Sequence, residues 1–356
     1  MKIKEISIKK DEDDRKISPY IIAEIGSNHL GSISLAKEMI RIAALCGVNA
    51  VKFQKRANEF LYTKDFYSSE YNSKNSFGKT YGAHRNFLEL SKEDYIELVE
   101  YAHIYDIDII ITIFDERSLE EMKLLDFDAY KIASGDITNI PLVESIAQIG
   151  KPIILSTGYS NFEDIDRAVS TIKRYNQKLI LMYCVSQYPT EDNNLNLNLI
   201  KKYLKRYNDI PIGFSSHEKG ELGSIIAYIL GAIVIERHFT ISNYLKGTDQ
   251  EFSLDIEHMK KLIFDLERAN KMLGDVDDKQ KNIYEYNAAK KLRKGLYASR
   301  KIKKGEIIRR EDLCIKSPQA MIYPYEIDEI IGTISCKDID IDESIPREQI
   351  EYNKKW

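Results

Sequence analysis

Between about residue 19 and residue 274, short apolar runs alternate with longer stretches of helical period. The short runs are continuously apolar and rich in β-branched residues, which is typical of parallel strands buried on both faces. They read YIIAEIG, AVKFQK, DIIITIF, AYKIAS, PIILSTG, LILMYCV, IPIGFSS and IVIERHF. The stretches between them are amphipathic, and several begin after Ser, Asn or Asp and end in Gly or Asn, as helices do.

Eight strand-like runs, each followed by a helix-like one, predict an α/β fold of the (β/α)8 TIM-barrel type, which needs about 250 residues. An open, doubly wound sheet is the alternative interpretation. It is disfavoured because eight strands are present and no G-x-G-x-x-G motif opens the first unit.

The pattern also divides the chain. Residues 1–274 are predicted to form the catalytic barrel, 275–294 a polar linker, and 295–356 a small, mostly β domain. One segment, residues 57–88, is unusually long for a connection after the second strand and is rich in Tyr, Phe, Ser and Asn. Such loops are usually active-site lids or interface arms, and a floppy insertion is the other interpretation.

Composition narrows the class of protein. An apolar fraction of 43% and a net charge of −4, without basic clusters, are typical of a globular protein that does not bind nucleic acid. The charged N-terminus lacks the apolar core of a secretion signal, and no segment is long and apolar enough for a membrane span. The four scattered cysteines favour a reducing compartment. We therefore expect a cytoplasmic protein without a membrane partner.

In a barrel of this type, function collects where strands end and the following loops begin. Polar residues at these positions are costly to bury unless they are used. They form three groups in the sequence: candidate ligands for an anion, a pair of histidines, and further polar side chains. The candidate anion ligands are Lys52, Lys131, Thr112, Ser134 and Ser156; the histidines are His217 and His238; the others include Glu24, Gln54, Asp136, Tyr188 and Asp249.

His217 and His238 end neighbouring strands, so their rings can converge on one metal ion and leave several of its coordination positions open. A single histidine at a strand end is more often a structural residue, and only the pairing favours a metal site. Likewise, two ammonium groups and three hydroxyls suit a ligand with a phosphate and a carboxylate. Either lysine could instead pair with Glu24 or Asp136. No P-loop motif is present, so a small anionic molecule is favoured over a nucleotide.

The strings IAEIGSNHLGS, VKFQK, KIASGD, GFSSHE, IERHFT and KGTDQEFSLD resemble the sialic acid synthase family, whose members make nonulosonic acids from phosphoenolpyruvate and an N-acylated hexose. The C-terminal LYASRKIKKGEIIRREDL resembles that family's antifreeze-like (SAF) domain. The resemblance implies that His217 and His238 bind a divalent metal, with Mn²⁺ expected and Mg²⁺ or Co²⁺ as alternatives.

The resemblance also implies roles for the other residues and a dimer. The five candidate anion ligands would bind phosphoenolpyruvate, Glu24 would lie beside its reacting carbons, and Gln54 would help to position the metal-bound groups. Asp136, Tyr188 and Asp249 would hold the sugar. In the implied domain-swapped homodimer, the SAF domain of one chain caps the active site of the other.

This chain departs from the family pattern at the acceptor end. Where the family usually has an Arg-Pro-Gly segment in the SAF domain, this chain has Ser317-Pro318-Gln319, and a serine cannot replace the contacts of a guanidinium. N-acetylmannosamine is therefore one candidate acceptor among several. A 3-deoxy-ulosonate synthase acting on a phosphorylated or non-acylated aldose is the alternative, and a sugar-binding protein with a decayed site is a minor one.

Overall fold

The computed structural model describes residues 2–6, 18–274 and 278–351, and the chain forms two compact units, residues 1–275 and 276–356. In the first unit, eight parallel strands close into a barrel in which each strand pairs with its neighbours in chain order and the last pairs with the first. The strands are β1 (Tyr20–Gly26), β2 (Ala50–Lys55), β3 (Asp108–Ile113), β4 (Ala129–Ile132), β5 (Ile153–Ser156), β6 (Leu179–Cys184), β7 (Ile212–Ser216) and β8 (Val234–His238). The predicted TIM barrel is confirmed, and each predicted apolar run forms one strand.

Helices join the strands and pack around the barrel. Several begin at a side-chain cap, as at Ser91 and Asn161, where the capping residue and an aspartate three positions later hydrogen-bond reciprocally. The helices of this unit are α1 (Ile3–Ile6), α2 (Ile33–Cys46), α3 (Asn58–Leu61), α4 (Lys64–Ser68), α5 (Tyr81–Phe87), α6 (Lys92–Ile104), α7 (Glu116–Met122), α8 (Ile140–Gln148), α9 (Phe162–Lys173), α10 (Leu199–Arg206), α11 (Leu222–Ile229) and α12 (Ile256–Leu273).

The barrel has two apolar clusters, because alternate strand residues face opposite sides. The larger cluster lies between the outer face of the strands and the helices. The smaller one fills the interior near the strand starts, where Ile3 and Ile6 of α1 pack with Tyr20 and Ile22. Asp108 fastens this end, accepting hydrogen bonds from the Ile3 backbone N–H and the Tyr20 hydroxyl. The interior is therefore closed at one end, and a cavity can open only at the other.

The second unit is small and has its own core. It contains α13 (Tyr286–Leu292), β9 (Gly295–Ala298), β10 (Leu313–Lys316), α14 (Ile327–Ile330), β11 (Ile334–Ser335) and β12 (Ile350–Glu351). Strand β9 pairs antiparallel with β10, and β11 with β12. The buried residues of this unit, among them Leu296, Ile302 and Ile339, form a separate cluster. Helix α13 lies within residues 275–294, the segment predicted as a linker.

Among the helices that the structure describes, none has the length and apolar character that crossing a membrane requires.

Candidate active site

A cavity of about 1010 Å³ opens at the carboxyl ends of the barrel strands. Every site residue predicted from the sequence lines it, except Asp136. Those that line it are Glu24, Lys52, Gln54, Thr112, Lys131, Ser134, Ser156, Tyr188, His217, His238 and Asp249. One chamber therefore contains the candidate anion ligands, the histidine pair and two of the candidate acceptor ligands.

Two buried lysines and two buried carboxylates form the charged floor of the cavity. Lys52 Nζ lies 2.7 Å from Glu24 Oε2 and donates to Thr112 Oγ1 at 3.1 Å. Lys131 Nζ lies 3.4 Å from Glu236 Oε1, and Lys52 Nζ lies 3.7 Å from the same oxygen. Both lysines thus have carboxylate partners, as the alternative interpretation of the sequence allowed for Lys52 and Glu24. An anion would compete with these carboxylates for the ammonium groups.

Glu236 belongs to this site and was not predicted. Its carboxylate also accepts a hydrogen bond from Ser215 Oγ at 2.9 Å. Burial alone would raise the pKa of Glu236, but Lys131 and Lys52 outweigh it and lower the pKa to about 2. Burial lowers the pKa of Lys131, and Glu236 opposes that shift. The signal for Glu236 was its place two residues before His238 on the same strand, which puts both side chains on one face.

The hydroxyl groups of the cavity surround a glycine. Ser134 Oγ accepts a hydrogen bond from the Gly158 backbone N–H at 2.9 Å, and Ser156 Oγ is buried without a protein partner. A Cβ atom on Gly158 would lie 2.1 Å from Ser186 Oγ and 2.9 Å from Ser134 Oγ. A side chain here would therefore displace both Ser186 and Ser134, so glycine preserves the positions of these two hydroxyls.

Glu24 is held from two sides at the end of β1. Lys52 contacts one of its carboxylate oxygens, and Gln54 Nε2 donates a hydrogen bond to the other. Gly26 follows with φ of +53°, and a Cβ there would lie 3.0 Å from Glu24 Oε1. The positive φ and the close carboxylate both favour glycine at this bend. Glu24 therefore has a fixed orientation toward the cavity.

The rings of His217 and His238 lie side by side. Their centroids are 5.4 Å apart with an interplanar angle of 51°, and Phe252 packs against both rings. His217 Nδ1 lies 3.1 Å from the Val185 carbonyl oxygen, so the neutral ring donates there and keeps its Nε2 lone pair free. Burial, followed by the neighbouring His238, lowers the pKa of His217 to about 3. The ring is therefore neutral at physiological pH, as a metal ligand must be.

The histidine pair fits a divalent metal of open coordination. His238 Nδ1 is buried without a hydrogen-bond partner and lies 3.8 Å from Asp249 Oδ2. Within the described parts of the chain, no group of three or more His, Cys, Asp or Glu side chains converges as a metal-binding cluster. Two imidazoles are thus the protein ligands that this site offers, and the remaining positions would be left for water or substrate oxygens.

The candidate acceptor ligands are distributed unevenly. Tyr188 lies with its ring centroid 4.1 Å from that of His217, and Asp249 lines the same wall. Asp136 is half-buried in a 3-10 turn, Ser134–Asp136, and does not line the cavity. Burial raises its pKa to about 6. Its proposed contact with the sugar therefore stays a prediction.

The long segment 57–88 forms part of the cavity wall. It contains α3, α4 and α5, held together by ring contacts of Tyr81 with Tyr62, Phe66 and Tyr71 at centroid distances of 4.6–5.4 Å. Tyr81 and Arg85 of α5 line the cavity, as does Arg56 just after β2. Sequence reasoning predicted a functional segment here but did not predict the two arginines as ligands.

The second unit has a lysine beside the position of the family's arginine. Lys294 Nζ donates a hydrogen bond to Ser317 Oγ at 2.5 Å. Both residues are exposed or partly exposed in the chain.

Comparisons with known proteins agree with the predicted resemblance. The NeuB family matches residues 39–278, and the SAF domain matches residues 293–351. The N-acetylneuraminate-9-phosphate synthase of Drosophila melanogaster is 39% identical over 246 residues, 69% of this chain and 66% of that protein. The N,N'-diacetyllegionaminic acid synthase of Legionella pneumophila is 36% identical over 250 residues, 68% of this chain and 70% of that protein. The matched segment thus spans about two thirds of these relatives.

A solved structure also matches. The N-acetylneuraminic acid synthetase of Leptospira borgpetersenii, crystallised with citrate, has a TM-score of 0.66 and 34% identity to this chain. The match covers 76% of this chain and 90% of that one. The names of these relatives refer to different acids.

Proposed function

The chain belongs to the NeuB family, and on that premise we propose that it condenses phosphoenolpyruvate with an open-chain N-acylhexosamine or related aldose. The products are a nonulosonic acid of the sialic acid type and phosphate. The observation that carries the proposal is one cavity in which a two-lysine cradle lies with Glu24 and the imidazoles of His217 and His238. The relatives named as synthases of sialic-acid-type sugars support the reaction class.

Lys52 and Lys131 hold the phosphate and carboxylate of the donor, with hydroxyls from Thr112, Ser134 and Ser156 completing the cradle. His217 and His238 would hold the metal, with Mn²⁺ the expected ion. A divalent ion bound there would supply Lewis-acid polarisation of the acceptor's aldehyde. C3 of phosphoenolpyruvate forms a bond to that aldehyde carbon, water adds at C2, and phosphate leaves by cleavage of its bond to C2.

Glu24 orients and deprotonates the water that adds at C2. Lys52 and Gln54 fix the carboxylate, so it meets the donor without reorganisation, and preorganised charges of this kind lower a barrier more than mobile ones. The charge of Glu236, whose own pKa is about 2, favours the ammonium form of both lysines.

The proposal extends to the assembly and the compartment. We propose a domain-swapped homodimer in which the SAF domain of one chain caps the barrel of its partner, as the resemblance implies. Free cysteines throughout the chain support a reducing compartment, the cytoplasm.

The test measures phosphate release from phosphoenolpyruvate with a panel of aldoses and Mn²⁺. We expect turnover with at least one acceptor, loss of turnover after chelation, and restoration by added metal. His238→Ala should lower turnover by at least about 100-fold while leaving the folded structure intact by circular dichroism. His258→Ala, which changes an exposed histidine of α12, is the matched control and should keep its activity.

A readout independent of activity follows from the same variants. Mn²⁺ should raise the melting temperature of the unaltered protein, because a ligand that binds only the folded state stabilises it, and His238→Ala should abolish the shift. An unchanged shift in His238→Ala would remove the metal assignment. Metal-replete protein without turnover on any acceptor would remove the proposed reaction.

A further inference from the structure

Two arginines in the cavity have no carboxylate partner among the residues that the structure describes. Arg56 donates to Gln54 Oε1 at 2.6 Å, and its guanidinium stacks over the Phe114 ring at 3.7 Å. Arg85 Nε is buried without a hydrogen-bond partner. Within the described parts of the chain, neither guanidinium has a carboxylate oxygen within 4.0 Å. This differs from the lysine floor, where each ammonium group has a carboxylate beside it.

The two guanidinium groups also lie close enough to repel each other. Burial, followed by the charge of Arg85, lowers the pKa of Arg56 to about 10, and only Glu89 among nearby carboxylates offsets this appreciably. Glu89 accepts a hydrogen bond from the Arg56 backbone N–H, not from its guanidinium. Holding like charges together at a partly buried site is unfavourable unless an anion joins them in function.

The surroundings fix both arginines. Arg85 lies on α5, and the tyrosine and phenylalanine contacts of Tyr81 hold that short helix against the rest of the segment. Tyr81 itself lines the cavity, where its hydroxyl hydrogen-bonds with Tyr62 and lies close enough to both arginines to be affected by their charge. Guanidinium forks are well suited to the oxygens of a phosphate monoester.

We infer that Arg56 and Arg85 form a second anion subsite, which binds a phosphate monoester at the end of the acceptor sugar remote from its aldehyde. The inference rests on the proposed function, because it places the aldehyde at the histidine pair on β7 and β8 and the donor on the lysine floor. In the order of the barrel strands, the histidines lie at the ends of β7 and β8, whereas the arginines follow β2, and β1 lies between the two groups. The acceptor therefore spans the cavity mouth from the histidine pair to the arginine pair. A cavity of about 1010 Å³ has room for a three-carbon donor and a sugar phosphate together.

The experiment compares two pairs of acceptors that differ only in the phosphate, with the full chain, Mn²⁺ and phosphoenolpyruvate. The pairs are N-acetylmannosamine with its 6-phosphate, and mannose with its 6-phosphate. In at least one pair, kcat/KM should be about 10-fold to 100-fold higher for the phosphorylated member, as expected for charge-assisted contacts. Arg85→Gln and Arg56→Gln should each lower this ratio about tenfold or more, and Arg85→Lys should lower it less.

The ratio is measured within one protein preparation, so partial misfolding of a variant does not alter it. Arg174→Gln is the control, since Arg174 follows α9 at the opposite end of the barrel and should leave the ratio unchanged. Calorimetric titration of each acceptor into the metal-loaded protein gives a second measurement that does not need turnover. We expect tighter binding of the phosphorylated sugar, lost in Arg85→Gln.

The outcomes separate the two ideas. Turnover that does not favour the phosphorylated sugar, with a ratio unaffected by the arginine variants, would overturn the subsite and leave the proposed reaction standing. Arginine variants that raise the KM for phosphoenolpyruvate alone would also overturn it, by assigning these residues to the donor. No turnover with any acceptor would overturn the proposed reaction, and the titrations would then decide the subsite on their own.

Discussion

At the scale of single residues, the charged groups of the cavity differ in how far the sequence predicted them. Lys52 and Lys131 were predicted because burying an ammonium group in an otherwise apolar strand is unfavourable unless the charge binds a partner or a ligand. Glu236 was missed because only the histidine of the IERHFT motif was considered as a site residue. Strand alternation nevertheless places Glu236 and His238 on one face. Arg56 and Arg85 were missed because their convergence depends on the folding of the 57–88 segment, which no local pattern reveals.

Asp136 gives a prediction at this scale. Burial raises its pKa to about 6, so the folded state binds a proton more tightly than the unfolded state, whose value lies near 4. The associated stability is complete below about pH 4 and is lost as the pH rises through about 6. The unfolding free energy of the unaltered protein should therefore fall between pH 4.5 and pH 7.5. The side chain of Asp136→Asn cannot ionise, so the fall in this variant should be smaller by about 1–3 kcal/mol.

Urea unfolding at the two pH values measures this difference. Asp166→Asn is the control and should keep the pH dependence of the unaltered protein in this range, because the hydrogen bond from Arg206 lowers the pKa of Asp166 and its contribution to stability is lost only below about pH 4. Identical pH dependence in Asp136→Asn and the unaltered protein would show that the Asp136 carboxyl is not shifted by burial.

At the scale of elements, regular patterns predicted well and short helices did not. Each apolar run became a strand because parallel strands in a barrel are buried on both faces. Helices α3, α4 and α5 have four to seven residues and lie in a segment rich in Ser and Asn. Helices this short are not stable alone. Tertiary ring contacts stabilise them here, so the local sequence does not predict them.

Strand β8 shows what alternation does for the site. Glu236 and His238 face the cavity, while Arg237 between them points outward, with 1% of its surface exposed. Arg237 donates to Glu218 Oε1 at 3.2 Å and to the carbonyl oxygens of Glu218 and Gly220 at 2.7 and 2.6 Å. Glu218 follows His217 directly, so this buried pair anchors the loop that carries a proposed metal ligand.

Breaking that pair should be costly. Arg237→Met leaves the Glu218 carboxylate buried without its counter-charge, and we expect about 3–5 kcal/mol of lost unfolding free energy. Arg237→Met with Glu218→Gln should recover part of the loss. Arg206→Met removes an exposed pair with Asp166 and should cost no more than about 1 kcal/mol. Equal losses in the two single variants, by denaturant unfolding, would contradict an anchoring role for Arg237.

At the scale of the whole molecule, the family, the barrel and the SAF domain were predicted from the sequence and are confirmed. These features depend on periodicity and on long strings of residues, which a sequence displays directly. Recognition of the acceptor sugar depends on a few side chains brought together from distant segments. The local motif that would predict the acceptor, the family's Arg-Pro-Gly segment, has Ser317 in place of its arginine in this chain. The division at residues 274 and 294 remains a prediction, while the structure divides the chain near residue 275.

Two separate cores predict two separate responses to core mutations. Ile339 is fully buried in the cluster of the second unit, and Ile235 is fully buried in the larger cluster of the barrel. Replacing either isoleucine with alanine removes three carbon atoms from a packed core and should cost about 2–5 kcal/mol. Because each cluster contains residues of one unit only, Ile339→Ala should lower amide-exchange protection in residues 293–351 and preserve that of β1–β8. Ile235→Ala should do the reverse. Protection lost throughout the chain in both variants would mean that the two units unfold as one, in spite of their separate cores.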